Sequence, residues 1–327
     1  MIDFLSLIKD TGAYKTVLGD KRSGRLSHAY LVLCADGDNL DEYLKIFAKL
    51  IACDSEQPCG ACRTCRLIDQ KSHPDVFFYP EKGESVLAED VNALIQESYI
   101  KPVEGDKKIF VLSNGQTMNA SAQNKLLKTL EEPPKNVHII IGATAEFNLL
   151  STVKSRMKKL QIPFFTADRL FSSLKDECPD HDKLNSAIAC GDGTVGKAKA
   201  LYGDENLKDA LECSADTLLN MTSSASVLEY SSKISALKCD LSDFLSVTEL
   251  LLRDLLLGLD GKEDLVANKE FYKKVKNAKN FNKGSVLFAL ESITEANERK
   301  KFNANPTMLI EWLLFRILEG KYKWQKL

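Results

Sequence analysis

The chain has 327 residues and a formal net charge of −2, too long for one ordinary core and too balanced for a global field to draw it onto nucleic acid. No stretch approaches the roughly twenty apolar residues a membrane helix needs, and the opening MIDFLSLIKD is no secretory signal, so a cytoplasmic protein without membrane contact is expected. Its nine cysteines should then be reduced or metal-bound and not disulfide-paired.

Phe4, Leu5, Leu7 and Ile8 predict a short amphipathic helix, followed by a polar, basic link that contains Lys21, Arg22 and Arg25. The apolar run Ala29–Leu33 reads as a buried strand and leads into CADGDNLDE, residues 34–42. In a P-loop protein this place between strand and helix holds GxxxxGK[ST], whose backbone amides and lysine cradle phosphates. Here Cys34 stands for the first glycine, Asn39 for the second, Leu40 for the lysine and Asp41 for the Ser/Thr. Asp36, Asp38, Asp41 and Glu42 would also repel a triphosphate. The strand–loop–helix frame survives without its phosphate chemistry.

Cys53, Cys59, Cys62 and Cys65 put four thiols within thirteen residues, with two overlapping CxxC pairs. Tight turns at Pro58 and Gly60 let both thiolates of a pair face one ion, which suits a closed, four-thiolate structural zinc site with no open catalytic position. Cys34, Cys178, Cys190, Cys213 and Cys239 are not grouped and read as packing residues. Ser72-His73-Pro74-Asp75 has turn chemistry, and Val91–Tyr99 predicts a helix.

A second strand is predicted at Ile109–Leu112. In an active nucleotide site an aspartate and a glutamate would follow it to hold magnesium and polarise water; Ser113 and Asn114 stand there instead. Neither bound ATP nor Mg²⁺ is therefore expected. Leu126 and Leu127 sit four and three positions before Leu130, a helical pattern that Pro133-Pro134 stops. The apolar run Val137–Ala143 follows, and strand, helix, strand at this spacing is a parallel α/β unit.

NKLLKTLEEPP at Asn124–Pro134 resembles the segment that clamp-loader AAA+ subunits of bacterial DNA polymerase III carry after the Walker B strand, and the likeness is strongest over residues 27–160. It implies a RecA-like α/β domain with helices on both faces of a parallel sheet, then an all-α lid and an all-α collar. By that resemblance the domains are 1–163, carrying a zinc module at 53–65, then 164–206 and 207–327. The family's first cysteine gap is longer than five residues, which leaves His73 as an alternative to Cys53 as a ligand. His73-Pro74-Asp75 matches the family's HPD step after the zinc module.

Ser155-Arg156 matches the first two letters of the family's SRC motif, with Met157 in place of the cysteine. The resemblance gives Arg156 the role of an arginine finger in a neighbouring subunit's ATP site, while on residues alone it would be a surface arginine beside Lys154, Lys158 and Lys159. Thr144 occupies the sensor-1 place, and Gly196, inside GDGTVGKAKAL, falls where an active subunit has its sensor-2 arginine. The implied partners are gamma/tau and delta subunits, with the sliding clamp and primed DNA reached through the assembly. Beyond Glu205 the chain predicts long amphipathic helices, with apolar faces at Leu218–Leu219, Leu250–Leu257 and Leu309–Leu318. Asn305-Pro306 opens the last of them, and Met308, Leu309, Trp312, Leu313 and Leu314 form its stripe. Two alternatives remain: an active gamma-like ATPase, which Leu40 and Ser113 oppose, and a zinc-dependent nucleic-acid-binding module, for which Arg63, Arg66 and the basic run at 154–159 speak.

Overall fold

The computed structural model describes residues 2–81, 85–191, 193–237, 240–266, 268–276, 281–302 and 304–323. The chain divides into two units, residues 1–169 with 194–196, and the remainder.

The first unit is built on five parallel strands: β1 (Ala29–Leu33), β2 (Val76–Tyr79), β3 (Lys108–Leu112), β4 (Val137–Ala143) and β5 (Lys158–Gln161). Their order across the sheet is β2-β3-β4-β1-β5. Every residue of β1, β3 and β4 is buried, as expected of parallel strands covered on both faces. Helices Ala88–Ser98 and Ala120–Glu131 cover one face, where Leu94, Leu126 and Leu130 join Leu31, Phe110 and Ile139 in one core. Helix Leu40–Ala52 lies against β3 and β4 on the other face. It comes so close that a Cβ on Gly142 would stand 2.5 Å from Leu44 Cδ1. The outcome is a parallel α/β sheet with helices on both faces and helical elements after it.

Two edges escape the sequence reading. β5 has the sequence KKLQ with only Leu160 buried, so it shows neither an apolar run nor clean alternation. β2 and the short helix Arg63–Asp69 lie next to the cysteine and HPD segments, whose turn chemistry hides them. The predicted basic link before β1 is mostly helix, Gly12–Arg22. Thr11 caps it by accepting from the Tyr14 amide at 3.3 Å, and Ala13, Tyr14, Val17 and Leu18 bury its apolar face. Lys21 and Arg22 are its last turn, where cations suit the helix dipole. The helix expected at 91–99 runs from Ala88 to Ser98.

Buried polar groups fasten the sheet to its connections. Lys108, 1% exposed at the start of β3, donates to the carbonyls of Glu97 and Ile100 at 3.2 and 3.1 Å and pairs with the Glu97 carboxylate. It thereby closes the C-terminal end of helix Ala88–Ser98, whose last carbonyls have no helical partner. Asp75 of the HPD step accepts from the amides of Val103, Glu104 and Gly105 at 2.6, 2.8 and 3.1 Å. Burial would raise its pKa, but these three amides hold it below the usual carboxylate value. The HPD segment is thus a structural turn that pins the loop before β3.

The second unit is helical throughout its described residues. Leu211, Leu218, Phe244, Leu251, Ile293, Leu313 and Ile317 form its core. Asn305 caps the last helix, Pro306–Lys323, by accepting from the Met308 amide at 3.2 Å. Of that helix's predicted stripe, Leu309, Leu313 and Leu314 are buried and Met308 is 70% exposed. Lys321, buried on this helix, donates to the Leu218 and Met221 carbonyls at the end of helix Asn206–Asn220. Among the described residues no helix is long and apolar enough to cross a membrane.

Candidate functional site

The loop after β1 is closed by its own side chains. Leu40, where a P-loop has its lysine, is 1% exposed and belongs to the core. Cys34 is also buried, its amide donating to the Ala143 carbonyl at 3.0 Å and its thiol pushed up to about 12 by burial. Loop amides are spent within the loop: Gly37 on Ala35 and Leu40 on Gly37. The first turn of helix Leu40–Ala52 carries Asp41 and Glu42, so the positive helix end that would attract a phosphate already has carboxylates.

Asp36 takes the central position. Only 3% exposed, its carboxylate accepts from Asn39 Nδ2 at 2.9 Å, the Tyr43 hydroxyl at 3.1 Å and the Val195 amide at 3.1 Å. A longer bond of 3.3 Å comes from the Gly196 amide. The sequence reading gave Asp36 only a repulsive role; the structure makes it an anion that satisfies the start of helix Val195–Gly203. Gly196 then has a steric reason as well. A Cβ there would lie 2.7 Å from both Asp36 Oδ1 and Asp38 Oδ2, so any side chain at 196, an arginine included, would require these carboxylates to shift.

The hydroxyl–carboxylate pair of a magnesium site is present with its members exchanged. Ser113, at the end of β3, donates its hydroxyl to the Asp41 carboxylate, which also pairs with the Lys71 ammonium. Burial works against ionisation of Asp41, but Lys71 and Ser113 outweigh it and its pKa is lowered. Asn114 follows in a left-handed conformation, φ 58°, which asparagine tolerates better than most residues. A cleft of about 620 Å³ lies over this corner, lined by Asp38, Asp41, Lys71, Glu81, Ser113 and Asn114 among others. Among the described residues that line it, the cation is Lys71. Thr144, in the sensor-1 place, gives its amide to Gln116 Oε1 at 3.3 Å.

Cys53, Cys59, Cys62 and Cys65 converge, all four sulfurs lying within 4.8 Å of one another. The separations are 3.9 Å for Cys53–Cys59, 3.9 Å for Cys53–Cys62 and 4.0 Å for Cys59–Cys65. Four thiolates at the usual zinc distance of about 2.3 Å would stand roughly 3.8 Å apart, so the sulfurs already outline a tetrahedron. The Cys62 amide donates to Cys59 Sγ and the Cys65 amide to Cys62 Sγ, both at 3.3 Å. The amides of Cys62 and Ala61 draw the Cys59 thiol down to about 6, toward the thiolate a metal requires. This cluster could hold a metal ion. His73 is outside it; its Nδ1 accepts from the Asp75 amide at 3.1 Å. Cys178 and Cys190 are buried and Cys213 is half-buried, while Cys239 lies outside the described residues.

Arg156 follows the short helix Ser151–Lys154. Its guanidinium donates to the Thr152 carbonyl at 2.8 Å and pairs with the Glu131 carboxylate at 2.5 Å. Met157, in the place of the motif's cysteine, is buried in the sheet core. The surrounding basic run is neutralised locally: Lys158 by Asp20, Lys159 by Glu146, with Lys154 donating to the Glu146 carbonyl. Arg63 pairs with Glu104, and Arg66 donates to the Ala61 carbonyl. Carboxylates thus offset Arg63, Lys158 and Lys159, while Lys154 and Arg66 bond to backbone carbonyls.

One residue that the sequence reading passed over connects these parts. Gln123, 1% exposed on helix Ala120–Glu131, donates to the carbonyls of Met118 and Asn148, each at 2.9 Å. It also accepts from the Leu150 amide at 2.7 Å. A polar residue beside the leucines of an amphipathic helix was its only signal.

A family model described as DNA polymerase III, delta subunit, matches residues 10–166. DNA polymerase III subunit delta' of Bacillus subtilis is 27% identical over 308 residues, which cover 90% of this chain and 92% of that protein. The delta' subunit of Yersinia pestis is 33% identical over 148 residues, 44% of each chain. Among solved structures, a DNA polymerase III gamma subunit-related protein from Thermotoga maritima covers 93% of this chain and 99% of its own, at 18% identity and a TM-score of 0.40.

Proposed function

We propose that the chain is a member of the delta' family of DNA polymerase III clamp-loader subunits, and that it neither binds nor hydrolyses ATP itself. The observation that carries this is the self-filled loop after β1. Asp36 occupies an anion position at a helix start, Leu40 is buried where a lysine would be needed, and Lys71 neutralises Asp41 beside Ser113. No carboxylate at 113 or 114 is left to hold magnesium or orient water.

Its contribution to catalysis is made in a neighbour's site. Arg156 with Ser155 is the arginine finger, and its guanidinium stabilises charge that develops on the γ-phosphate of ATP bound to an adjoining gamma/tau subunit. Hydrolysis there is coupled to loading of the sliding clamp on primed DNA, with a delta subunit as the other partner and the cytoplasm as the setting. The lid and collar assignments to 164–206 and 207–327 belong to the same proposal.

The four cysteines hold a structural zinc ion. Bound zinc supplies no catalysis there; it cross-links the end of helix Leu40–Ala52, which Cys53 follows, to the start of helix Arg63–Asp69. An active ATPase resembling gamma is disfavoured by Leu40 and Asp36.

Equilibrium binding of a labelled ATP analogue with magnesium to the purified chain tests the first part. No saturable binding at millimolar nucleotide is expected, and micromolar binding would overturn it. Arg156→Ala in a reconstituted loader tests the second. An arginine finger accounts for about 10³–10⁵ in hydrolysis rate at the site it serves, so turnover at one neighbouring site should collapse. Unchanged turnover would refute the assignment.

A further inference from the structure

The partner that the structure gives Arg156 is an anion of its own chain. Glu131 is the last residue of helix Ala120–Glu131, where the negative end of the helix dipole disfavours a carboxylate unless a cation is near. Arg156 supplies that cation, with one guanidinium nitrogen 2.5 Å from Glu131 Oε1 and the other 2.8 Å from the Thr152 carbonyl. The two side chains are 35% and 47% exposed, so the pair can exchange with an incoming anion.

We propose that Glu131 is a latch on Arg156: it holds the guanidinium on its own chain and must be displaced by a neighbour's triphosphate before the finger can act. This rests on the arginine-finger reading. A guanidinium has five donors in a rigid fork, and the edge that grips one carboxylate is the edge best shaped for a phosphate oxygen pair. Glu131 and the γ-phosphate therefore compete for one surface of Arg156. The triphosphate carries more charge and wins when correctly seated; a poorly seated nucleotide does not. Glu131 thus makes the in-trans contribution conditional on geometry in the partner. Its reach is limited by its exposure, because solvent-exposed ion pairs favour the closed state only about two- to five-fold. The latch acts by withholding Arg156, so Glu131 is a positioning residue.

The test uses the fully reconstituted loader with wild-type chain, Glu131→Gln, Arg156→Ala and the double variant. Glu131→Gln keeps the shape and removes the charge. It should raise the kcat of ATP hydrolysis, without clamp or DNA, about two- to five-fold, corresponding to the lost competition. The gain should fade as salt rises through about 0.5 M, because screening already weakens an exposed pair. Glu131→Ala should change kcat in the same direction, and in the double variant Glu131→Gln should add nothing to Arg156→Ala. A kcat that stays constant or falls in Glu131→Gln, with Arg156→Ala strongly impaired, overturns the latch and leaves the finger standing. Full activity in Arg156→Ala overturns both.

Discussion

Asp36→Ala removes one acceptor from several donors that have nowhere else to turn. Two of them dominate: the hydroxyl of Tyr43 and the backbone amide of Val195, on residues that are each 0% exposed. A buried donor left unpaired costs about 1–3 kcal/mol, so the pair predicts a loss of about 2–6 kcal/mol. Asn39 is half-buried and can turn to water, and the Gly196 bond is long, so neither adds much. For a unit of this size each kcal/mol moves the midpoint by about 2–4 °C, which puts the expected fall at about 4–24 °C. Asp36→Asn keeps one oxygen and should lose about half as much. Trp312 packs against the core of the second unit and residues 1–169 contain no tryptophan, so tryptophan emission does not report the first unit, while near-ultraviolet tyrosine dichroism includes Tyr43. Thermal scans in both signals should therefore separate: the tyrosine transition drops and the tryptophan transition stays within about 2 °C, the scatter of a change without buried consequences. A tyrosine transition that also moves by less than 2 °C would refute the idea that Asp36 occupies its site as a structural anion.

Removing the metal should act on stability before chemistry. Chelation or Cys62→Ser is expected to lower the melting temperature of the first unit, with one zinc per chain lost by mass spectrometry; an unchanged melt in metal-free protein rules out the structural role. Asp75 should shape the acid limb of the stability curve. Its pKa is lowered in the folded state, so its contribution is complete above the unfolded carboxylate value of about 3.9 and is lost as pH falls through the lower folded value. Urea midpoints measured from pH 6 down to about 2.5 should decline less steeply for Asp75→Asn than for the wild type, and parallel curves would show that the three amides contribute nothing.

What the sequence revealed follows how local each signal is. β1 and β4 were read to the residue because fully buried strands are continuous apolar runs bounded by turns. β5 was not, because an edge strand of KKLQ buries one side chain. The substitutions at Leu40, Ser113 and Asn114 could be read against a motif of fixed spacing, and so could the four cysteines. Asp36 could be seen only as one more negative charge, because its decisive donors, Val195 and Gly196, lie about 160 positions away and no pattern links them. Gly196 was likewise read as a missing arginine, when a side chain there would also crowd the Asp36 and Asp38 carboxylates. No sequence pattern links Glu131 to Arg156, since the two lie on opposite sides of β4 in the sequence.

Gln123 fastens the helix on one face of the sheet to the chain after β4. One side-chain amide grips Met118 before its helix and both Asn148 and Leu150 in the segment that leads to Arg156. A shear between helix Ala120–Glu131 and that segment would break two of the three bonds together, at about 1–3 kcal/mol for each buried group stranded. The helix and the segment leading to Arg156 are accordingly clamped together at one buried point, and sliding of one past the other is opposed there.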